Sequence, residues 1–491
     1  MSGTGGFILK ATGWAAAALW IKRGCVVIGA GIGAVLLWVI IGSLVIAAHY
    51  PSVSDPSSIP AASGFYGGEG EVTNDRVMLV EHNWDALIHR LRLIEGAKER
   101  IILSTFDFHD DDSGQDVMAA LVAAAERGVE IQIITDGLTG LLRMGGNDHF
   151  AALDSYENVE IRLYNPLNIL DVEGLHCRLH DKYLIVDDTY CLLGGRNTYN
   201  YFLGDYGSEH ENFDREVLSV CIGGESETIA QVEAYFNRIW NEDCTKPLSE
   251  KADEKAEKDA VQAAKADLLA RYEGLRERFP EAYQDFDYIA ASCEARKITL
   301  IAGSTAPEEK EPVVLETLTR LMEGAQERVV LHTPYAVCDS YMLDCLRRVK
   351  ESCPDFTLQV NNVLSGGNLP ASSDYLWHRD DLLETGVNLL EYDGGKSYHC
   401  KTILIDEDIS VIGSFNYDMR SVYLDTELML VIDSEPFNDI LEAEMLAAQE
   451  EALTIPAGAG NLSMLSGEAS VGKKIALILL GLLSPVIRRV I

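Results

Sequence analysis

The 491-residue sequence predicts an α/β fold of two pseudo-symmetric domains, each a central mixed sheet flanked by helices, with a transmembrane helix ahead of them. Three observations lead to this reading. A series of strand-like segments occurs twice in the same order, helical segments alternate with the strands, and one long uncharged run precedes both series.

The duplication is read segment by segment. RIILSTFDF, from Arg100, corresponds to RVVLHTPYA, from Arg328; VEIQIITDG corresponds to FTLQVNNVL and VEIRLYN to VNLLEYD. HDKYLIVDD then matches HCKTILIDE, CLLGGRN matches SVIGSFN, and DREVLSVCI matches DTELMLVID. Between the strands, SGQDVMAALVAAAERG and SYMLDCLRRVKESC place apolar residues three and four apart, the spacing of one helix face. Strands alternating with such helices make α/β units. The two domains span roughly 72–245 and 286–454. Residues 246–285 join them, and their charged, helix-forming composition reads as a solvated connecting helix with Glu254 and Lys258 in i,i+4 support.

Residues 24–48 carry no charge and are long enough to cross a hydrocarbon layer of about 30 Å as a helix. Lys10, Lys22 and Arg23 precede this run and no basic residue follows closely, so the positive-inside rule expects a single-pass anchor within residues 1–50, with the domains outside the cytoplasm. At the other end, residues 472–491 hold a shorter apolar run between Lys473-Lys474 and Arg488-Arg489, which suits a segment lying in the membrane interface. The net charge of −37 argues against a nucleic-acid partner, because such binding draws on Lys and Arg replacing counterions. The ten cysteines form no CxxC pair and no Cys/His cluster with zinc spacing, so no structural metal is expected and most read as small buried apolar residues.

The chemistry lies in one motif present twice. The first copy is His180, Lys182 and Asp187 followed by Gly194-Gly195-Arg196-Asn197; the second is His399, Lys401 and Asp406 followed by Gly413-Ser414-Phe415-Asn416, with identical spacing. In an extended strand, residues two apart share a face, so each His and Lys project together, and the turn after the glycine lets Asn197 or Asn416 return beside them. An imidazole, an ammonium and an amide around one point suit a phosphate: Lys neutralises the nonbridging oxygens, Asn donates to them, and His is both nucleophilic and titratable near neutrality. Asp187 and Asp406, five residues past each Lys, stand at the strand end, where a turn role competes with a catalytic one.

With these motifs the sequence resembles the phospholipase D superfamily, whose signature is the duplicated HKD motif. Stretches such as GGRNTYNYF, HRDDLLETGVNLLEY and the SPVIRR tail are similar to the branch of bacterial cardiolipin synthases. The resemblance implies two phospholipase D-like domains and a ping-pong transfer: His180 attacks phosphorus to form a phosphohistidine while His399 serves as acid and then base. Asp214 and Glu427 look like the carboxylates that orient the imidazoles, with Glu216 and Asp425 as alternatives. It also implies a membrane phosphatidyltransferase without a cofactor or metal, acting on phospholipid, with phosphatidylglycerol or phosphatidylethanolamine as the candidates. A phospholipid hydrolase is the alternative, and a nuclease or phosphodiesterase a weaker one.

Overall fold

The computed structural model describes residues 50–488 except 169–170, 172–173, 209, 250–257, 308–309 and 459–468, together with scattered positions between 29 and 42. The expected anchor over 24–48 lies largely outside the described residues, and among them no helix is long and apolar enough to cross a membrane.

The first half supplies β1 (Asp75–Val80), β2 (Arg100–Thr105), β3 (Glu130–Asp136), β4 (Val159–Tyr164), β5 (Tyr183–Val186), β6 (Tyr190–Gly194), β7 (Asn212–Phe213), β8 (Glu216–Cys221), β9 (Lys246–Pro247) and β10 (Cys293–Glu294). The second supplies β11 (Lys297–Ala302), β12 (Val329–His332), β13 (Ala336–Val337), β14 (Phe356–Asn361), β15 (Asn388–Tyr392), β16 (Ser397–Tyr398), β17 (Thr402–Ile405), β18 (Ile409–Gly413), β19 (Tyr417–Asp418), β20 (Leu428–Asp433) and β21 (Ala452–Thr454). One sheet runs β10-β1-β8-β6-β5-β2-β3-β4-β9 and the other β11-β20-β18-β17-β12-β14-β15-β21. Apart from β10, the two orders are the same. In each, three neighbouring strands are parallel, β2-β3-β4 and β12-β14-β15, and the rest pair antiparallel.

The parallel strands require crossover helices, and the sequence caps them. Asp111 accepts from Gly114 N at the start of the helix Asp112–Glu126, and Asp339 accepts from Met342 N at the start of Ser340–Ser352. These helices cover the outer faces. The inner faces meet: Ile102, Ile185 and Val217 of one sheet lie in the same buried cluster as Leu404, Ile412 and Leu430 of the other. The two halves therefore share a continuous core, which holds their facing strand ends in fixed relation.

All twelve strands of the matched series form. Missing from that series were β1 and β11, the strands that open each half and pair with β8 and β20. The match at the last strand also shifts. Gly194 lies opposite Glu216, whereas Gly413 lies opposite Met429, so the structural counterpart of Asp214 is Glu427 and not Asp425. The shift is two residues and keeps the strand face, because alternate residues share a face.

One expectation is corrected. The connecting helix, Asp259–Arg278, is not simply solvated: Val261, Ala264, Leu268 and Leu275 are buried against the first half, and Arg271 and Arg278 both reach the buried Asp116. Glu254 lies outside the described residues. The C-terminal segment is a helix, Val471–Ile487, docked on the helix Leu369–Leu383. Leu477 is buried, Ser373 Oγ donates to Leu477 O at 2.6 Å, and Arg488 pairs with Asp374 at 3.2 Å. A Cβ at Gly481 would collide with the Trp377 indole, so glycine permits this close approach. Its other face leaves Val471, Ile475, Leu479, Leu482 and Leu483 exposed.

Candidate active site

Each motif begins on an extended segment that reaches into the other half. Leu179 forms a parallel bridge with Thr426, and β16 pairs in parallel with β7. The His180 N–H donates to Thr426 Oγ1 at 3.1 Å, and the His399 N–H donates to Phe213 O at 2.6 Å. Each histidine is thus fixed by backbone contact with the opposite half before its side chain is considered.

The imidazoles are held the same way. His180 Nδ1 is 2.8 Å from Glu427 Oε1, and His399 Nδ1 is 2.7 Å from Asp214 Oδ2. The sequence named both carboxylates downstream of their own motifs, and the structure pairs each with the other motif's histidine. The alternatives drop out: Glu216 forms a buried pair with Arg90, at 2.5 and 2.8 Å, and Asp425 is taken by Arg420 at 2.8 Å. An Nδ1–H donating to a carboxylate leaves the Nε2 lone pair for chemistry.

Lys182 and Lys401, each only 1 % exposed, donate to the backbone carbonyls of His180 and His399. Lys401 Nζ also lies 2.7 Å from His399 Nδ1. His180, His399 and Asn197 line one cavity of about 1200 Å³, walled by aromatic residues including Phe106, Tyr199, Tyr201 and Phe202. A second chamber of about 470 Å³ meets it at His180 and contains Asn416. Asn197 Oδ1 and Asn416 Oδ1 are buried with no hydrogen-bond partner among the described residues, as expected of groups awaiting a ligand. Two histidines, two lysines and two asparagines therefore converge where the halves meet.

Asp187 and Asp406 do not join them. Asp187 accepts from the backbone N–H groups of Lys98, Glu99 and Arg100 at 3.1, 2.9 and 3.0 Å, and Asp406 from those of Gln326, Glu327 and Arg328 at 2.9, 2.8 and 3.1 Å. Both have φ of 52°, a left-handed turn conformation that aspartate tolerates. They fix the turn after β5 and β17 to the entry of β2 and β12. The catalytic expectation for this pair is corrected to a structural one.

A family profile described as "Cardiolipin synthase, PLD-like domain" matches residues 91–240 and 318–448, covering both motifs. The chain belongs to the phospholipase D-like family. It is an enzyme of that type, a phosphatidyltransferase. It is 26% identical to cardiolipin synthase C of Escherichia coli (strain K12) over 416 residues, covering 76% of this chain and 84% of that protein. It is 24% identical to a cardiolipin synthase of Listeria monocytogenes serotype 4a over 388 residues, covering 76% and 70%. The crystal structure of phosphatidylserine synthase of Haemophilus influenzae Rd KW20 superposes with a TM-score of 0.60 at 14% identity, covering 84% of this chain and 95% of that one, and shows the shared fold.

The two half-sites of this phospholipase D-like centre differ electrostatically. Burial, aided by Lys182, holds His180 well below the usual imidazole range, and burial with Lys401 lowers His399 to about 4. Burial pushes Lys182 down to about 7. Burial alone would raise Asp214, but Lys401 and the His399 hydrogen bond outweigh it and keep Asp214 below the usual carboxylate range. Glu427 is pushed up to about 8 by burial, against the pull of Lys182. Two hydroxyls clamp Glu427, Ser414 at 2.5 Å and Ser421 at 2.6 Å. The counterpart of Ser414 is Gly195, where a Cβ would strike the Asp214 carboxylate. Sequence reasoning missed these serines, although Ser414 lies inside the second motif, and missed Phe106 and Phe202, which stand edge-on to His180 and His399 at 5.4 and 5.2 Å. The phenylalanines carry no motif of their own; only folding brings them to the imidazoles.

Proposed function

We propose that this phosphatidyltransferase is a cardiolipin synthase, moving a phosphatidyl group from one phospholipid to phosphatidylglycerol through a phosphohistidine. The observation behind this reading is the crossed pair of histidine–carboxylate contacts opening on one large, aromatic-walled cavity. His180 Nε2 attacks phosphorus in line, the bond to the donor's headgroup oxygen breaks, and His399 gives that oxygen its proton. His399 then takes the proton of the acceptor hydroxyl, whose oxygen attacks phosphorus and releases His180. Asp214, kept anionic, stabilises the His399 imidazolium that enters the first step and forms again in the second. Lys182, Lys401, Asn197 and Asn416 neutralise and hold the nonbridging oxygens.

Transfer must outrun attack by water, and placement favours it. An acceptor held against the intermediate has a high effective concentration while apolar surroundings exclude water. The reading includes an anchor over residues 24–48 and contact of the exposed apolar face of the C-terminal helix with the bilayer. Lys473, near the start of that helix, also lines the cavity, so the face and the site adjoin. Purified full-length protein in vesicles containing phosphatidylglycerol is expected to yield cardiolipin as the main product. Phosphatidic acid as the main product would replace the synthase with a hydrolase.

A further inference from the structure

The duplication allows the two sides of the site to be compared position by position. Arg178 of the first half corresponds to Ser397 of the second, two residues before each histidine. Arg420 and Asp425 correspond to Tyr201 and Asn212: the Asp425 N–H donates to Arg420 O at 2.8 Å, and the Asn212 N–H donates to Tyr201 O at 2.9 Å. Asp136 corresponds to Asn361, and each accepts from the backbone N–H just before its own histidine, Leu179 N at 3.3 Å and Tyr398 N at 2.7 Å. One architecture therefore carries two sets of side chains.

On the His180 side the set is charged and largely spent on itself. Arg178 lies 3.5 Å from Asp136, and Arg420 lies 2.8 Å from Asp425, around a chamber of about 470 Å³. On the His399 side the four charges are gone, and Ser397, Tyr201, Asn212 and Asn361 line the cavity of about 1200 Å³ that His399 shares with His180. The charged groups that do line it are engaged: Glu211 pairs with the exposed Lys396 at 2.5 Å, and Lys473 donates to Leu364 O at 2.6 Å.

We infer that the chamber beside His399 is the acceptor subsite, and that its uncharged lining, Ser397, Tyr201 and Asn212, selects an acceptor headgroup that is an uncharged polyol over one carrying an ammonium. This rests on the transferase reading, in which His180 attacks and the alcohol oxygen must lie on the opposite side of phosphorus, beside His399. A desolvated ammonium requires a carboxylate, and the position that holds Asp425 on one side holds Asn212 on the other. A glycerol arm needs only hydroxyl and amide partners, and the unpaired Asn197 Oδ1 supplies one acceptor.

The test offers full-length protein in phosphatidylglycerol vesicles equal amounts of free glycerol and ethanolamine and measures the ratio of the two headgroup-exchange products. The wild-type ratio should favour glycerol by about tenfold or more, and Asn212→Asp should move it about tenfold toward ethanolamine, as should Ser397→Asp, since a charge-assisted hydrogen bond is the stronger kind. Asp425→Asn, the same exchange on the other side, should move the ratio less than twofold. An unmoved ratio in both carboxylate variants, or an equal shift in Asp425→Asn, overturns the subsite. Equal use of the two alcohols by the wild type also overturns it while leaving the transferase reading intact. Phosphatidic acid as sole product with either alcohol overturns both.

Discussion

At the scale of the residue, each imidazole depends on three groups: the carboxylate at Nδ1, the lysine two residues on, and a phenylalanine edge. Neither half-site supplies both a nucleophile and a proton donor. His180→Ala and His399→Ala are each expected to reduce turnover by several orders of magnitude, more than the roughly 100- to 10,000-fold of general acid–base help alone. Retention of a tenth of wild-type activity by either variant would refute the paired mechanism. Lys182 carries a second prediction. Its ammonium, lowered to about 7, is charged below that pH and loses its proton above it, so kcat/KM of the free enzyme should fall as pH rises through about 7. Arginine stays protonated, so Lys182→Arg should move the alkaline limb of its remaining activity to higher pH. Coincident limbs would assign the titration to another group.

At the scale of the element, Asp187 and Asp406 show why one motif position is structural. A strand that begins at the site with a histidine ends one strand length away, and the aspartate there faces the opposite edge of the sheet. Three backbone N–H groups converge on each carboxylate, which makes the turn rigid and sets the register of β5 on β2 and of β17 on β12. Asp406→Ala leaves those donors without their acceptor and should cost about 1–3 kcal/mol of stability, read as a lower midpoint in urea unfolding, while kcat at low temperature changes less than about tenfold. A loss of activity comparable with that of the histidine variants, without a change in midpoint, would return Asp406 to the chemistry. The helices teach the same lesson in reverse. The segment Asp259–Arg278 reads as solvated because its charges dominate its composition, yet Arg271 and Arg278 are drawn onto Asp116, which only the folded first half presents.

At the scale of the whole molecule, the site exists only because two sheets of the same order face each other across one core. Phosphorus would sit between a histidine from each half, and each histidine is oriented by an acid from the other. Separating the halves therefore removes more than one catalytic group: it leaves His180 without Glu427 and His399 without Asp214. The expected placement of this body outside the cytoplasm has its own test. Protease added to intact protoplasts should digest the chain beyond about residue 50, and protection of the catalytic halves would reverse the topology.

The strand series and both HxK motifs with their trailing asparagines were legible in the amino-acid order, because a duplicated pattern at constant spacing needs no knowledge of contacts. The two orienting acids came from the family resemblance, with Glu216 and Asp425 left open, because a shift of two along a strand leaves a side chain on the same face and the pattern by itself does not choose between them. Which acid serves which histidine was not legible. That pairing joins residues more than 180 positions apart, set by the β16–β7 pairing and the Leu179–Thr426 bridge. Nor was the divergence of the two chambers: the motif spacing aligns Ser397 with Arg178, but Asn212 meets Asp425 only through the two-residue shift that the sheets impose. Local periodicity is written in the chain, whereas contact between distant segments depends on the packing of the shared core, and the crossed geometry of the site is of the second kind.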